Sequence, residues 1–98
     1  MERLIFCGSV VPKDPKEIKF SRLGIGFEKL DRGVFDPERA YDKLAKIGVK
    51  WVRVQSGWQR TERERGKYDF GWLDAIVDRL RSDGMTPWMN IVYGNSLY

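Results

Sequence analysis

Gly48-Val49-Lys50-Trp51-Val52-Arg53-Val54-Gln55 joins the end of one regular element to the start of the next, and its reading decides the fold. A glycine can close a helix in a left-handed turn, and the β-branched and aromatic side chains that follow suit a strand. The junction recurs at Gly84-Met85-Thr86-Pro87-Trp88, where a glycine is again followed closely by a tryptophan. The two copies lie about 35 residues apart, the length of one strand-plus-helix unit. A repeat of that size predicts βα units in series.

Upstream of the first junction, Asp36-Pro37-Glu38 combines an N-cap acceptor, a proline at the first helical position and a carboxylate in the first turn, so a helix is expected to start there. Ala40, Tyr41, Leu44, Ala45 and Ile47 recur at helical spacing, with Arg39, Asp42, Lys43 and Lys46 on the other side. Downstream, Asp69 serves as the next N-cap, Trp72, Leu73, Ile76, Val77 and Leu80 form the stripe, and Gly84 ends the helix. Residues 49–55 and 85–93 are the strands that follow the two glycines. Residues 21–27 read as an earlier strand, with Gly24 and Gly26 where another backbone passes close. Residues 4–11 are apolar and β-prone, and Pro12-Lys13-Asp14-Pro15-Lys16 breaks any regular element after them. The chain therefore divides into a short N-terminal β segment and turn, residues 1–20, which could pair as a small hairpin, and a βα series, residues 21–98.

Strands alternating with helices of this length pair in parallel through right-handed crossovers, in either an open doubly wound sheet or a closed barrel. Neither GxGxxG nor GxxxxGK[ST] follows a strand, so the phosphate-cradling loops of doubly wound folds are missing and no cofactor is implied. Polar and aromatic residues instead gather after each strand. Glu28, Lys29 and Asp31 follow the first, Gln55 and Trp58 the second, and Tyr93 and Asn95 the third. In a (β/α) barrel these positions line the active-site face. Rings beside hydrogen-bonding groups suit a sugar, which has apolar C–H faces and a rim of hydroxyls. The plainer reading is that Trp58 and Tyr93 cap the barrel core.

Composition narrows the function classes. In 98 residues, 42% hydrophobic and 13% aromatic, there is material for one packed core and not for a disordered tail. The 18 basic and 14 acidic residues are interspersed, so the net +4 describes a mixed-charge surface and no nucleic-acid partner is expected. With no histidine and one cysteine, Cys7, there is neither metal-ligand spacing nor an internal disulfide. No run reaches membrane-spanning length, and MERLIFCGSVV carries an acid at position 2 and a short apolar stretch, unlike a signal peptide. Nothing in the sequence indicates export, which slightly favours a cytoplasmic location without assigning one.

Lys46-Ile47-Gly48-Val49-Lys50-Trp51-Val52-Arg53-Val54-Gln55, then Gly66-Lys67-Tyr68-Asp69-Phe70 with Trp72-Leu73-Asp74, then Gly84-Met85-Thr86-Pro87-Trp88 resemble the N-terminal portion of clan A glycoside hydrolases. The nearest likeness is to the family 39 group of β-xylosidases and α-iduronidases, over residues 21–95. The resemblance implies an α/β fold of parallel βα repeats, the first three strands of a TIM (β/α)8 barrel. It makes Arg53 the match of the arginine that hydrogen-bonds the catalytic nucleophile. A guanidinium there keeps a carboxylate ionised and fixes its geometry, although a simple barrel-mouth ion pair also accounts for it. Gln55 stands where the family 39 pattern has a sugar-contacting histidine, and Asn90 where relatives often carry a glutamate, so sugar specificity does not transfer. Glu28, Arg53, Gln55, Trp58, Tyr93 and Asn95 are the expected substrate-binding residues.

Retaining glycosidases need a nucleophile and an acid/base carboxyl about 5 to 5.5 Å apart, and the resemblance puts them at the ends of strands four and seven. A complete barrel takes about 250 residues, so no catalytic pair is expected within this chain. Glu28 and Asp31 could touch substrate. The run Arg60-Thr61-Glu62-Arg63-Glu64-Arg65 reads as a solvated loop with local ion pairs, with a catalytic Glu62 or Glu64 as the lesser alternative. Three unclosed strands leave edges and an inner face uncovered, so the partner expected besides a carbohydrate is the remaining barrel segment or a second copy of the chain. Two functions follow: a truncated or split part of a retaining glycoside hydrolase, inactive alone, or a non-catalytic sugar-binding or assembly module.

Overall fold

The computed structural model describes residues 5, 7–8 and 10–98. Strands β1 (Gly24–Phe27), β2 (Trp51–Gln55) and β3 (Thr86–Asn90) form one parallel sheet in the order β1-β2-β3. Helix α1 (Tyr41–Lys46) connects β1 to β2, while the short α2 (Trp58–Thr61) and the longer α3 (Gly71–Ser82) connect β2 to β3. This is an α/β fold of consecutive parallel βα units, the strand-by-strand order of a (β/α) barrel.

Register assigns the two faces. Ile25, Val52 and Pro87 align across the strands, as do Phe27, Val54 and Met89. Val52 and Val54 are fully buried beneath Leu44 of α1 and Leu73, Ile76 and Leu80 of α3, the stripes expected from their spacing. Gly24, Trp51 and Thr86 align on the opposite face, followed by Gly26, Arg53 and Trp88, then Gln55 and Asn90. Among the described residues no helix covers that face, and Trp51 and Trp88 are 37% and 49% exposed on it.

The helix starts are stepped. Asp36 Oδ1 accepts from the Glu38 N–H at 3.1 Å, as expected of a cap, but the turn it opens is a 3₁₀ turn, Pro37–Arg39, and α1 begins only at Tyr41. So short a helix takes its geometry from packing, here from Tyr41, buried with its ring centroid 6.0 Å from that of Phe27. Asp69 Oδ1 accepts from the Gly71 N–H at 2.9 Å at the head of α3.

Residues 4–11 fall partly outside the described residues, and none of residues 10–20 is in a strand. Pro12 and Pro15 lack the N–H that a ladder needs. Instead a 3₁₀ turn, Pro15–Glu17, crosses the N-terminal ends of β2 and β3, where Lys50 Nζ donates to Pro15 O and Gly84 O, each at 2.8 Å. This crossing adds a second demand on the two helix-ending glycines, which hold φ of 77° and 82°. A Cβ on Gly48 would lie 2.9 Å from Lys13 O, and one on Gly84 2.5 Å from the Lys16 nitrogen.

Candidate sugar-binding face

β1 ends at Phe27, so Glu28 stands at the C-terminal end of the sheet beside Arg53 and Gln55 of β2. An Arg53 guanidinium nitrogen is ion-paired with Glu28 Oε1. Gln55 Nε2 donates to Glu28 Oε2 at 3.4 Å and to the Tyr93 hydroxyl at 3.2 Å. A carboxylate, a guanidinium, an amide and a phenol thus form one row drawn from all three strand ends. Gly26 makes room for it, since a Cβ there would lie 2.5 Å from Glu28 Oε1 and 3.3 Å from Arg53 Nε. Tyr93 enters the row with a left-handed φ of 70°, a conformation uncommon for a non-glycine residue. Gln55 is 2% exposed, and its Oε1 is buried without a partner, which leaves an unused acceptor inside the row.

Trp58 and Asn95 belong to a second cluster, built around Glu62. The expectation of a solvated loop over residues 60–65 is overturned at its centre, because Glu62 is fully buried. One carboxylate oxygen accepts from the Tyr98 hydroxyl at 2.5 Å and the Gly66 N–H at 2.7 Å, and the other from the Trp58 indole N–H at 2.5 Å. Asn95, also buried, donates to Glu62 O at 2.8 Å and accepts from the Leu97 N–H at 3.0 Å, so its amide ties the C-terminal segment to the loop. Trp58 stacks on Tyr98 with ring centroids 5.2 Å apart. Glu64 does lie in solvent, paired with Lys67.

The hydrogen bond from Tyr98, then that from Gly66, hold the Glu62 carboxyl below the 4.5 of a free glutamate, outweighing the upward push of burial. The same bond raises the Tyr98 phenol to about 12. A depressed carboxyl stabilises the fold above its unfolded value, and that contribution is lost as pH falls through the folded value. The urea midpoint is therefore expected to decline on acidification below about pH 4.5, more steeply than in Glu62→Gln. Parallel declines in the two proteins would show that the clasp does not titrate with folding.

Beside the Arg53 row lies a cleft of about 510 Å³, open to solvent. Its walls are Asp31, Arg32 and Gly33 after β1, Gly57 to Arg60 and Arg63 after β2, and Tyr93 and Gly94 after β3. Gly57, at φ 54°, lets the β2 loop close on the β1 loop, since a Cβ there would lie 2.7 Å from Asp31 Cβ. Among the described residues no group of histidine, cysteine, aspartate and glutamate is placed to hold a metal, and no helix is long and apolar enough to cross a membrane. Of the six expected binding residues, Arg53, Glu28, Gln55 and Tyr93 are linked in that order by successive contacts. Trp58 reaches the cleft, and Asn95 is committed to Glu62. What residue-by-residue reading missed is Glu62 as an anchor, and the signal was its spacing, one helical turn after Trp58 and the same distance before Gly66.

Consecutive parallel βα units with polar residues gathered at their C-terminal strand ends are a segment of a (β/α) barrel. Residues 27–90 match the model of glycoside hydrolase family 42, β-galactosidase, and the chain belongs to that family. It is 39% identical over 49 residues to β-galactosidase BgaH of Haloferax lucentense, a match covering 49% of this chain and 7% of that protein. With β-galactosidase BbgII of Bifidobacterium bifidum it shares 41% over 54 residues, covering 50% of this chain and 8% of the other. The solved β-galactosidase of the psychrophilic Marinomonas ef1 superposes with a TM-score of 0.57 at 25% identity, over 70% of this chain and 11% of that one. The chain thus spans about a tenth or less of the proteins it matches. The clan expected from the motifs agrees with these matches, whereas the family 39 group finds no support among them.

Proposed function

We propose that the chain supplies the first strands of a retaining β-galactosidase barrel and part of its sugar-binding face, while the two catalytic carboxylates come from other strands. Arg53 carries the reading. It sits midway along β2 on the face without helices, where Gly26, its partner on β1, has no side chain and leaves room for the guanidinium and the Glu28 carboxylate. Arg53 positions the nucleophile, and Glu28, Gln55 and Tyr93 meet sugar hydroxyls. Trp58 offers a partly exposed ring to a sugar face. Transplanting residues 21–95 into the Marinomonas ef1 β-galactosidase in place of its matching segment tests this. The chimaera is expected to hydrolyse nitrophenyl β-galactoside, and a folded but inactive chimaera would refute the reading.

A second reading, a non-catalytic carbohydrate-binding module that completes its core by self-association, draws on the exposed Trp51 and Trp88 of the open sheet face. Sedimentation of the chain with and without galactosides separates the two. A stable oligomer that binds sugar without turnover favours the module.

A further inference from the structure

We propose that the cleft beside the Arg53 row is a subsite for an acidic saccharide, whose carboxylate or sulfate ester lies among Arg32, Arg60 and Arg63. The saccharide part rests on the preceding reading, while the anion part rests on the cleft itself.

Three guanidinium groups line this cleft against one carboxylate, Asp31. Among the described residues none of the three is ion-paired, although Arg53, Lys67 and Arg79 all have acidic partners. Like charges gathered in one concavity repel each other, and an oxyanion relieves that repulsion while accepting the planar donor fork of arginine. Arg60 is held in place at the cleft wall. Its Nη1 donates to Leu30 O at 2.6 Å and its guanidinium lies 4.1 Å from the Trp72 ring centroid, which fixes the group and leaves other N–H donors unspent. Arg32 lies over the Tyr93 ring at 5.9 Å, and Arg63 is exposed at the rim.

The remaining lining suits the rest of a sugar. Asp31, on the cleft wall, has its Oδ1 buried without a hydrogen-bond partner, an unmet acceptor at the edge of the site. Trp58 and Tyr93 present partly exposed rings. Tyr93 belongs to both places, with its hydroxyl on Gln55 and its ring beneath Arg32, so a ligand seated on the Arg53 row continues into the cleft. The ligand class is therefore a galactoside with an acidic neighbouring residue.

The test is calorimetric titration of the full chain with neutral galactobiose, digalacturonate and sulfated galactobiose. At low salt the acidic sugars are expected to bind about tenfold tighter than the neutral one, and raising ionic strength to about 0.5 M should erase most of that gain. Arg63→Ala and Arg32→Ala should each reduce the gain several-fold. Preference for both acids supports a general oxyanion site, and preference for one identifies its source. Equal binding of acidic and neutral sugars, or a gain indifferent to salt in the unmodified chain, overturns the proposal without depending on any variant. The same sugars, tried as inhibitors of the chimaera, keep the two readings apart. An active chimaera with no acid preference defeats the subsite alone, and an inactive one in a chain that prefers acids defeats the galactosidase reading alone.

Discussion

Leu80→Ala is expected to lower the unfolding free energy by about 2–5 kcal/mol, the range for emptying a fully buried leucine site. Leu80 has no exposure and shares one cluster with Val52 and Val54 of the central strand. That cluster lies on one side of the sheet only, because the other face presents Trp51 and Trp88 to solvent. A sheet packed on a single side has no second core to make up a loss on the first. A folded domain is held by only about 5–15 kcal/mol, so the substitution removes a large share of what is available. Ile47→Ala provides the comparison, since Ile47 is 60% exposed at the end of α1 and its truncation should cost no more than about 0.5 kcal/mol. Urea unfolding followed by tryptophan fluorescence reads both. Equal effects of the two would mean that the helix layer over β2 is not what holds the chain.

The βα repeat was legible in the sequence because its punctuation is local. Gly48 and Gly84 announce a left-handed residue wherever they stand, and both take one. Their second role, letting residues 13–16 cross the strand starts, has no local signal, since it depends on a segment far away in sequence. Gly24 and Gly26 were read as points of close backbone approach. At Gly24 the backbone of Trp51 does approach, whereas at Gly26 the Arg53 and Glu28 side chains do, a consequence of the parallel register and not of any motif. Glu62 was the least legible residue. Among alternating charges it has the look of a solvated side chain, and a partner that buries it, Tyr98, lies 36 residues away. Asn95 was placed correctly after a strand, but its amide is taken up by that same buried turn.

Replacing Arg53 by alanine in the chimaera is expected to reduce kcat/KM about 10²–10³-fold, the scale on which removal of one preorganised donor acts. The geometry separates this from loss of fold. The Arg53 and Glu28 side chains are 29% and 56% exposed, so their ion pair belongs to the surface class worth at most about 1 kcal/mol. Thermal stability should therefore change little. The barrel-mouth ion pair, taken as the whole role of Arg53, predicts something else: Arg53→Ala and Glu28→Ala would have matching, small effects on both stability and rate. Arg53→Lys sharpens the contrast, because it keeps the charge and gives up the planar fork that can hold two oxygens at once. If the fork positions a carboxylate, lysine recovers only a minor part of the lost rate, and the deficit falls on kcat, since the carboxylate it orients acts after the sugar has bound. A lysine variant within about threefold of the parent enzyme, or an alanine variant whose only change is a raised KM, would place Arg53 among groups that merely bind sugar.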